Sequence, residues 1–279
     1  MENINWYPGH MKKTKELIKE NLKLVNAVIE VLDARLPISS SNPVIDELVK
    51  NKIRIVLLNK YDLSDSEITE RWIQAYRKKG ITAIPMNSVN GDGLKQLIHI
   101  LDMLNERIND KGGRVRPLRV MIVGIPNVGK SSLINRFAGK RSARIGNKPG
   151  VTRGKQWISI KGNIQLLDTP GILWPKFEDQ QIAVRLAFVG SIKDEILDIE
   201  DIAFKFVEFL QKNYPDLLKE RYKLEILKET PLEIMDDICI KRGFIRSGGK
   251  NDYERVSKTI IDEYRNGKIG KISIEKPDI

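Results

Sequence analysis

Short apolar runs alternate with amphipathic stretches along the first 170 or so residues. Residues 25–32 (VNAVIEVL), 53–58 (IRIVLL), 81–85 and 118–123 (LRVMIV) are mostly apolar, as strands buried on both faces of a parallel sheet are. Helical spacing fills the gaps between them. It predicts helices over 42–50 with Pro43 at the first position, over 66–79, over 93–108, and over 132–137. Residues 156–160 and 164–167 predict a hairpin turning at Lys161-Gly162-Asn163. Ahead of the first strand, residues 5–24 predict a turn at Pro8-Gly9 and then an amphipathic basic helix. Polar residues follow the strand ends, at Asp33, Asn59 to Asp62, Asn87-Ser88 and Asp168, the order of an open, mostly parallel α/β sheet with helices on both faces. Past Pro175 the strand pattern stops. Residues 180–189, 199–213, 232–242 and 251–266 all read as helices. The expected division is an α/β domain with an N-terminal arm over 1–176 and a smaller all-α domain over 177–279.

Composition narrows the class. The 279 residues are 41% hydrophobic and 30% charged, and no apolar run approaches the ~18 residues of a membrane span, so no membrane association is expected. The opening MENINWYPGHMKK lacks the apolar core of a signal peptide. Cys239 is the single cysteine, which rules out an intrachain disulfide and points to a reducing, cytoplasmic compartment, with Cys239 itself in the core. The net charge of +11 is unevenly placed. Between Asp110 and Asp168 there is no acidic residue, and thirteen lysines and arginines fall in that interval. A nucleotide uses one or two of them; the surplus favours a polyanion, most simply RNA, against the plainer reading of a generic basic surface.

Residues 124–131 spell GIPNVGKS between a predicted strand and a predicted helix, the setting a phosphate-binding loop requires. Backbone N–H groups around Asn127, Val128, Gly129 and Ser132 are expected to converge on phosphate oxygens at the positive end of the helix. Lys130 is expected to reach the β- and γ-phosphates, and Ser131 to ligate Mg²⁺. At the end of the second strand stands Asn59-Lys60-Tyr61-Asp62, an N-K-x-D sequence. A carboxylate at Asp62 accepts two hydrogen bonds from guanine, which adenine cannot supply. Asn59 is expected on the base edge, the Lys60 stem along the ring, and the Asn87-Ser88 backbone at the guanine oxygen. Asp168-Thr169-Pro170-Gly171 is D-x-x-G, expected to place Asp168 on a Mg²⁺-bound water and the Gly171 N–H on the γ-phosphate. Thr152 is the natural second hydroxyl ligand for Mg²⁺. The ligand expected is GTP or GDP.

Ordinary GTPases run phosphate loop, threonine switch, DxxG, NKxD, then the serine loop. Here NKYD and Asn87-Ser88 come first, a circular permutation. With WYPGHM at the start, DARLP at 33–37, GIPNVGKS and DTPGILWP at 168–175, the chain resembles the bacterial YlqF/RbgA ribosome-biogenesis GTPases. The likeness is specific from Trp6 to about Pro175. It is weaker beyond, where Arg242-Gly243 and residues 264–274 (YRNGKIGKISI) resemble that family's closing helix. The resemblance implies a circularly permuted P-loop GTPase domain followed by a helical RNA- or ribosome-binding domain. It implies GTP hydrolysis coupled to late assembly of the large ribosomal subunit, with binding to its rRNA; a monomer is expected.

Most GTPases follow the DxxG glycine with a glutamine that aligns water, whereas this chain has Ile172. Slow intrinsic turnover is expected, with Lys130, Thr152 and Gly171 as the catalytic groups retained. The resemblance supplies two substitutes. His10 is similar to a histidine proposed to be catalytic in that family, and a near-neutral imidazole suits water positioning, although it could equally hydrogen-bond a turn. Asn127 resembles the asparagine that helps hold K⁺ in cation-dependent relatives, its alternative being a loop-stabilising amide. His99 is expected to pack within its helix. A GTP-binding RNA scaffold with negligible turnover, and a GTPase serving another RNA, stay open.

Overall fold

The computed structural model describes residues 16, 18–110, 115–138, 157–160, 163–167 and 180–278. Among the described residues six strands form one sheet in the order β3-β2-β1-β4-β6-β5: β1 (Ala27–Asp33), β2 (Ile53–Asn59), β3 (Thr82–Met86), β4 (Leu118–Val123), β5 (Trp157–Ile160) and β6 (Ile164–Leu167). All neighbours are parallel except the β5–β6 hairpin. The strand that leads into the GIPNVGKS loop comes fourth in the chain yet lies centrally in the sheet, directly beside β1.

Apolar faces explain the layers. β1 is buried along its whole length, including Glu30 and Asp33. On one face Ile18, Leu22, Val25, Val28, Ile45, Val49, Met121, Val123 and Leu167 form a cluster. Residues 18–22 are helical there, so the predicted basic helix does bury an apolar stripe. On the other face Leu32, Ala34, Val56 and Leu58 meet Ile68 and Trp72 of α3 (Ser66–Lys78). Asp65 caps that helix, accepting from the Glu67 N–H at 2.9 Å and the Ile68 N–H at 3.1 Å. Between β1 and β2 lie two short helices, α1 (Pro37–Ser40) and α2 (Pro43–Leu48); α1 is not signalled by the hydrophobic pattern. α4 (Leu94–Asn109) buries Leu97 and Leu101, and α5 (Lys130–Ala138) follows the glycine loop.

His99 contradicts its expectation. The buried face of α4 is the Leu97/Leu101 stripe, and at 3.6 residues per turn position 99 falls opposite it, so His99 is exposed.

The chain divides into two compact units, Met1–Glu178 with Ser273–Ile279, and Asp179–Ile272. The last seven residues therefore belong with the first unit, not with the helices that precede them. The second unit holds α6 (Gln180–Phe188), α7 (Ile199–Asn213), α8 (Pro215–Tyr222), α9 (Pro231–Arg242) and α10 (Tyr253–Arg265). Phe206 lies at its centre, with ring centroids 5.0 Å from Phe188 and 4.4 Å from Tyr264. Glu263 joins α8, α9 and α10 by accepting from the Arg221 Nε at 2.9 Å and pairing with Arg242. Burial alone would raise its carboxyl; the hydrogen bond from Arg221 and the charges of Arg221 and Arg242 hold it below its ordinary value. Cys239 is fully buried on α9, as expected, and burial pushes its thiol up to about 11. The YRNGKIGKISI segment does not continue as a helix. α10 stops at Arg265 because Gly267 (φ +70°) and Gly270 (φ +140°) turn the chain, while Ile269 and Ile272 bury their side chains.

Candidate functional site

Strand register brings the polar ends together. Asp33 pairs with Asn59, and Asn59 with Met86, so the residues following β1, β2 and β3 start level at one edge of the sheet. The loop after β4 enters the same edge. Gly124 has φ +153°, and a Cβ there would stand 2.5 Å from the Val31 carbonyl, so only glycine lets the loop leave so close to β1. Asn127 adopts φ +62°, a left-handed conformation asparagine tolerates, and this is an observed structural reason for its presence.

A cavity of about 290 Å³ opens at this edge, lined by Asn59, Lys60, Asn87, Ser88, Asn127, Gly129, Lys130, Ser131 and Ser132, with Val89 besides. Nine of the residues expected from sequence thus surround one space. Val128 lies behind it, fully buried. Tyr61 and Asp62 stand on the 3-10 turn after Lys60; the Tyr61 hydroxyl donates to Asp92 at 3.2 Å. His10, Thr152, Asp168, Gly171 and Ile172 lie outside the described residues. Of the thirteen basic residues, Arg116, Arg119, Lys130 and Arg136 are described.

Asn59 is a brace. Its Nδ2 donates to the Val128 carbonyl at 2.6 Å and its Oδ1 accepts from the Ser88 N–H at 2.9 Å. One buried amide thereby bolts the phosphate loop to the loop after β3. The Ser88 N–H, expected at the guanine oxygen, is engaged in that bond, because a buried strand end must satisfy its own donors first. The seam is tight at Gly129, where a Cβ would fall 2.1 Å from Asn59 Nδ2 and 2.9 Å from Ser88 Oγ. Gly129→Ala should therefore force the two loops apart, destabilising the chain by roughly 1–3 kcal/mol and weakening nucleotide binding with it. A thermal melt and a GDP titration check this, and wild-type values in both would refute the close approach.

Lys130 is buried at the first residue of α5, its Nζ 2.7 Å from the Ile125 carbonyl. Ser131, next along, is exposed to the cavity. The Asp62 Oδ1 is buried and accepts no hydrogen bond from a described residue. A buried carboxylate oxygen left so would cost about 1–3 kcal/mol or more, and a base presenting two N–H groups satisfies it. The residues present fit a guanine.

Sequence reasoning missed the support under Lys60. Lys60 adopts φ +58°, and its Nζ lies 3.2 Å from Asp33 Oδ2. Arg35 grips the same carboxylate at both oxygens, Nε to Oδ1 and Nη2 to Oδ2, each at 2.8 Å. Burial works to raise the Asp33 carboxyl, but the Arg35 and Lys60 charges outweigh it and hold it well below the usual carboxylate range. The only sequence signal was an acidic residue at a strand end, two positions ahead of an arginine.

Comparison with known proteins agrees with this fold. A family model described as 50S ribosome-binding GTPase matches residues 119–234. The chain is 47% identical over 279 residues to a Ribosome biogenesis GTPase A of Bacillus licheniformis, covering 99% of each chain. It is 34% identical to the Thermotoga maritima protein of that name, over 99% of this chain and 95% of the relative. A GDP-bound YlqF structure superposes with a TM-score of 0.68 at 31% identity, covering 94% of this chain and 99% of that one. A GNP-bound YlqF from T. maritima gives 0.65 at 31% identity, covering 95% and 99%.

Proposed function

The chain belongs to the ribosome biogenesis GTPase A family, and from that premise we propose that it is a Mg²⁺-dependent GTP switch acting in late assembly of the large ribosomal subunit. The observation that carries the nucleotide part is the buried Asp62 oxygen, without a hydrogen-bond partner among the described residues, on the turn that follows Lys60, next to a phosphate loop braced to the same strand end. Guanine is read by that carboxylate. The phosphates are held by the loop N–H groups and Lys130, at the positive end of α5.

Mg²⁺, when bound, neutralises charge developing on the transferred phosphoryl group. Ser131, Thr152 and Asp168 are the residues that would hold it, and Ser131 faces the cavity. Gly171 offers its N–H to the γ-phosphate. With isoleucine at 172 no side chain there aligns water, so His10 is assigned that role and Asn127 a K⁺ ligand that supplies charge near the phosphates. The helical unit and the acid-free basic interval are assigned to rRNA on the subunit precursor, with the chain acting as a monomer in the cytoplasm.

GTP turnover in K⁺ and in Na⁺, with and without large subunits, tests this reading. Turnover should rise by about tenfold or more with K⁺ and subunits together, as when a missing charge and a missing water-positioning group are both supplied. His10→Ala should remove most of the rise and leave GDP affinity unchanged. Flat turnover under all four conditions would favour a GTP-binding RNA scaffold, the reading that Ile172 supports.

A further inference from the structure

We propose that Glu275 is a positioning residue for the guanine site, acting through Arg35, Asp33 and Lys60. The inference rests on the guanine reading above and extends it to the opposite end of the chain. Helix α1 begins at Pro37 with no side-chain cap at Leu36, so its first N–H groups need an acceptor from elsewhere. Glu275 supplies it. Its carboxylate accepts from the Ile38 N–H at 2.7 Å, from the Ser39 N–H at 3.1 Å, and from the Ser39 hydroxyl. Glu275 is 4% exposed, and its backbone is held as firmly as its side chain. The Ile274 and Glu275 N–H groups both donate to the Arg35 carbonyl, at 2.7 and 3.2 Å, and the Glu275 carbonyl accepts from Trp72 Nε1 at 3.2 Å.

The tail also grips the far side of the base loop. The Ser273 hydroxyl, fully buried, accepts from the Asp65 N–H at 3.1 Å, and Asp65 is three residues past Asp62. Lys60 to Asp62 are thus bracketed by two tail contacts, one reaching Arg35 and one reaching Asp65. Arg35 passes the constraint inward: its guanidinium fixes both oxygens of Asp33, and Asp33 Oδ2 anchors the Lys60 ammonium. The strained left-handed conformation of Lys60 persists because its tip is tied there. Tying the tip lays the four-carbon stem where it can flank the base. Without the carboxylate of Glu275, the Arg35–Ser40 turn loses its cap, and the Asp33–Lys60 tie loosens.

A double-mutant cycle on the full chain tests this, read by stopped-flow release of fluorescently labelled GDP. Glu275→Ala should speed release by about fivefold, as expected for losing hydrogen bonds to a charged group. In a Lys60→Ala background the same change should add nothing to the release rate, although it lowers the melting temperature in both backgrounds. Equal acceleration in both backgrounds would mean a general loosening of the fold and would overturn the proposal, as would unchanged release in the single variant. If the alanine variant does not fold, Glu275→Gln, which keeps one acceptor oxygen, runs the same cycle. A wild-type chain that binds labelled ADP as well as labelled GDP would bring down the guanine reading itself, an outcome distinct from an additive cycle.

Discussion

Lys130→Ala should abolish productive triphosphate binding while leaving the chain folded. The ammonium sits at the first residue of α5, 8% exposed, and bonds within its own loop at 2.7 Å. Hydrogen bonds to charged groups are worth about 1.5–3 kcal/mol each, and this lysine would serve two phosphates, so GTP affinity should fall by about a hundredfold or more. The Ile125 carbonyl loses its ammonium donor in the exchange, a charge-assisted bond worth about 1.5–3 kcal/mol of stability. Isothermal titration with a non-hydrolysable GTP analogue, beside a thermal melt, separates the two effects. Undiminished turnover would overturn the assignment of the loop.

Asp62→Asn should change the base that is bound. The aspartate places a buried acceptor, Oδ1, at a point where no described residue donates to it. Guanine donates two hydrogen bonds to such a carboxylate. An asparagine there presents an amide N–H₂ in place of one acceptor, and xanthine, which has a ring carbonyl where guanine has an amine, accepts from it. GDP affinity should drop by about a hundredfold, and the affinity for the xanthine nucleotide should rise above that for GDP. Competition between the two diphosphates measures the switch. A variant that still prefers GDP would place base recognition elsewhere in the chain.

The α/β pattern was legible because parallel strands buried on both faces are nearly unbroken apolar runs. The expected runs 53–58 and 118–123 match β2 and β4 to within a residue. The site was legible for a related reason: a glycine loop between strand and helix, and N-K-x-D at a strand end, are local signals whose spacing alone carries the chemistry. What escaped was set by distance in sequence. Nothing near Asn59 says that its amide will spend both ends on Val128 and Ser88, and nothing near Glu275 says that it will cap α1. His99 failed for a different reason, since apolar neighbours on both sides hide which face of a helix turns inward. The helix expected over 251–266 matches α10 to within two residues, because Gly267 and Gly270 end it.

The sequence by itself determined the permuted order of the motifs, and it set the expectation of guanine chemistry at Asp62 and of phosphate chemistry at Lys130 and Ser131, because each depends on residue type and local spacing. The tertiary structure alone decided which groups hold those residues in place. Asp33, Arg35 and the tail at Ser273 and Glu275 meet Lys60 and Asp65 only after the sheet has aligned its strand ends and the chain has returned from the helical unit. Local preference cannot encode such a meeting, since buried charges and helix-end N–H groups find their partners wherever folding delivers them.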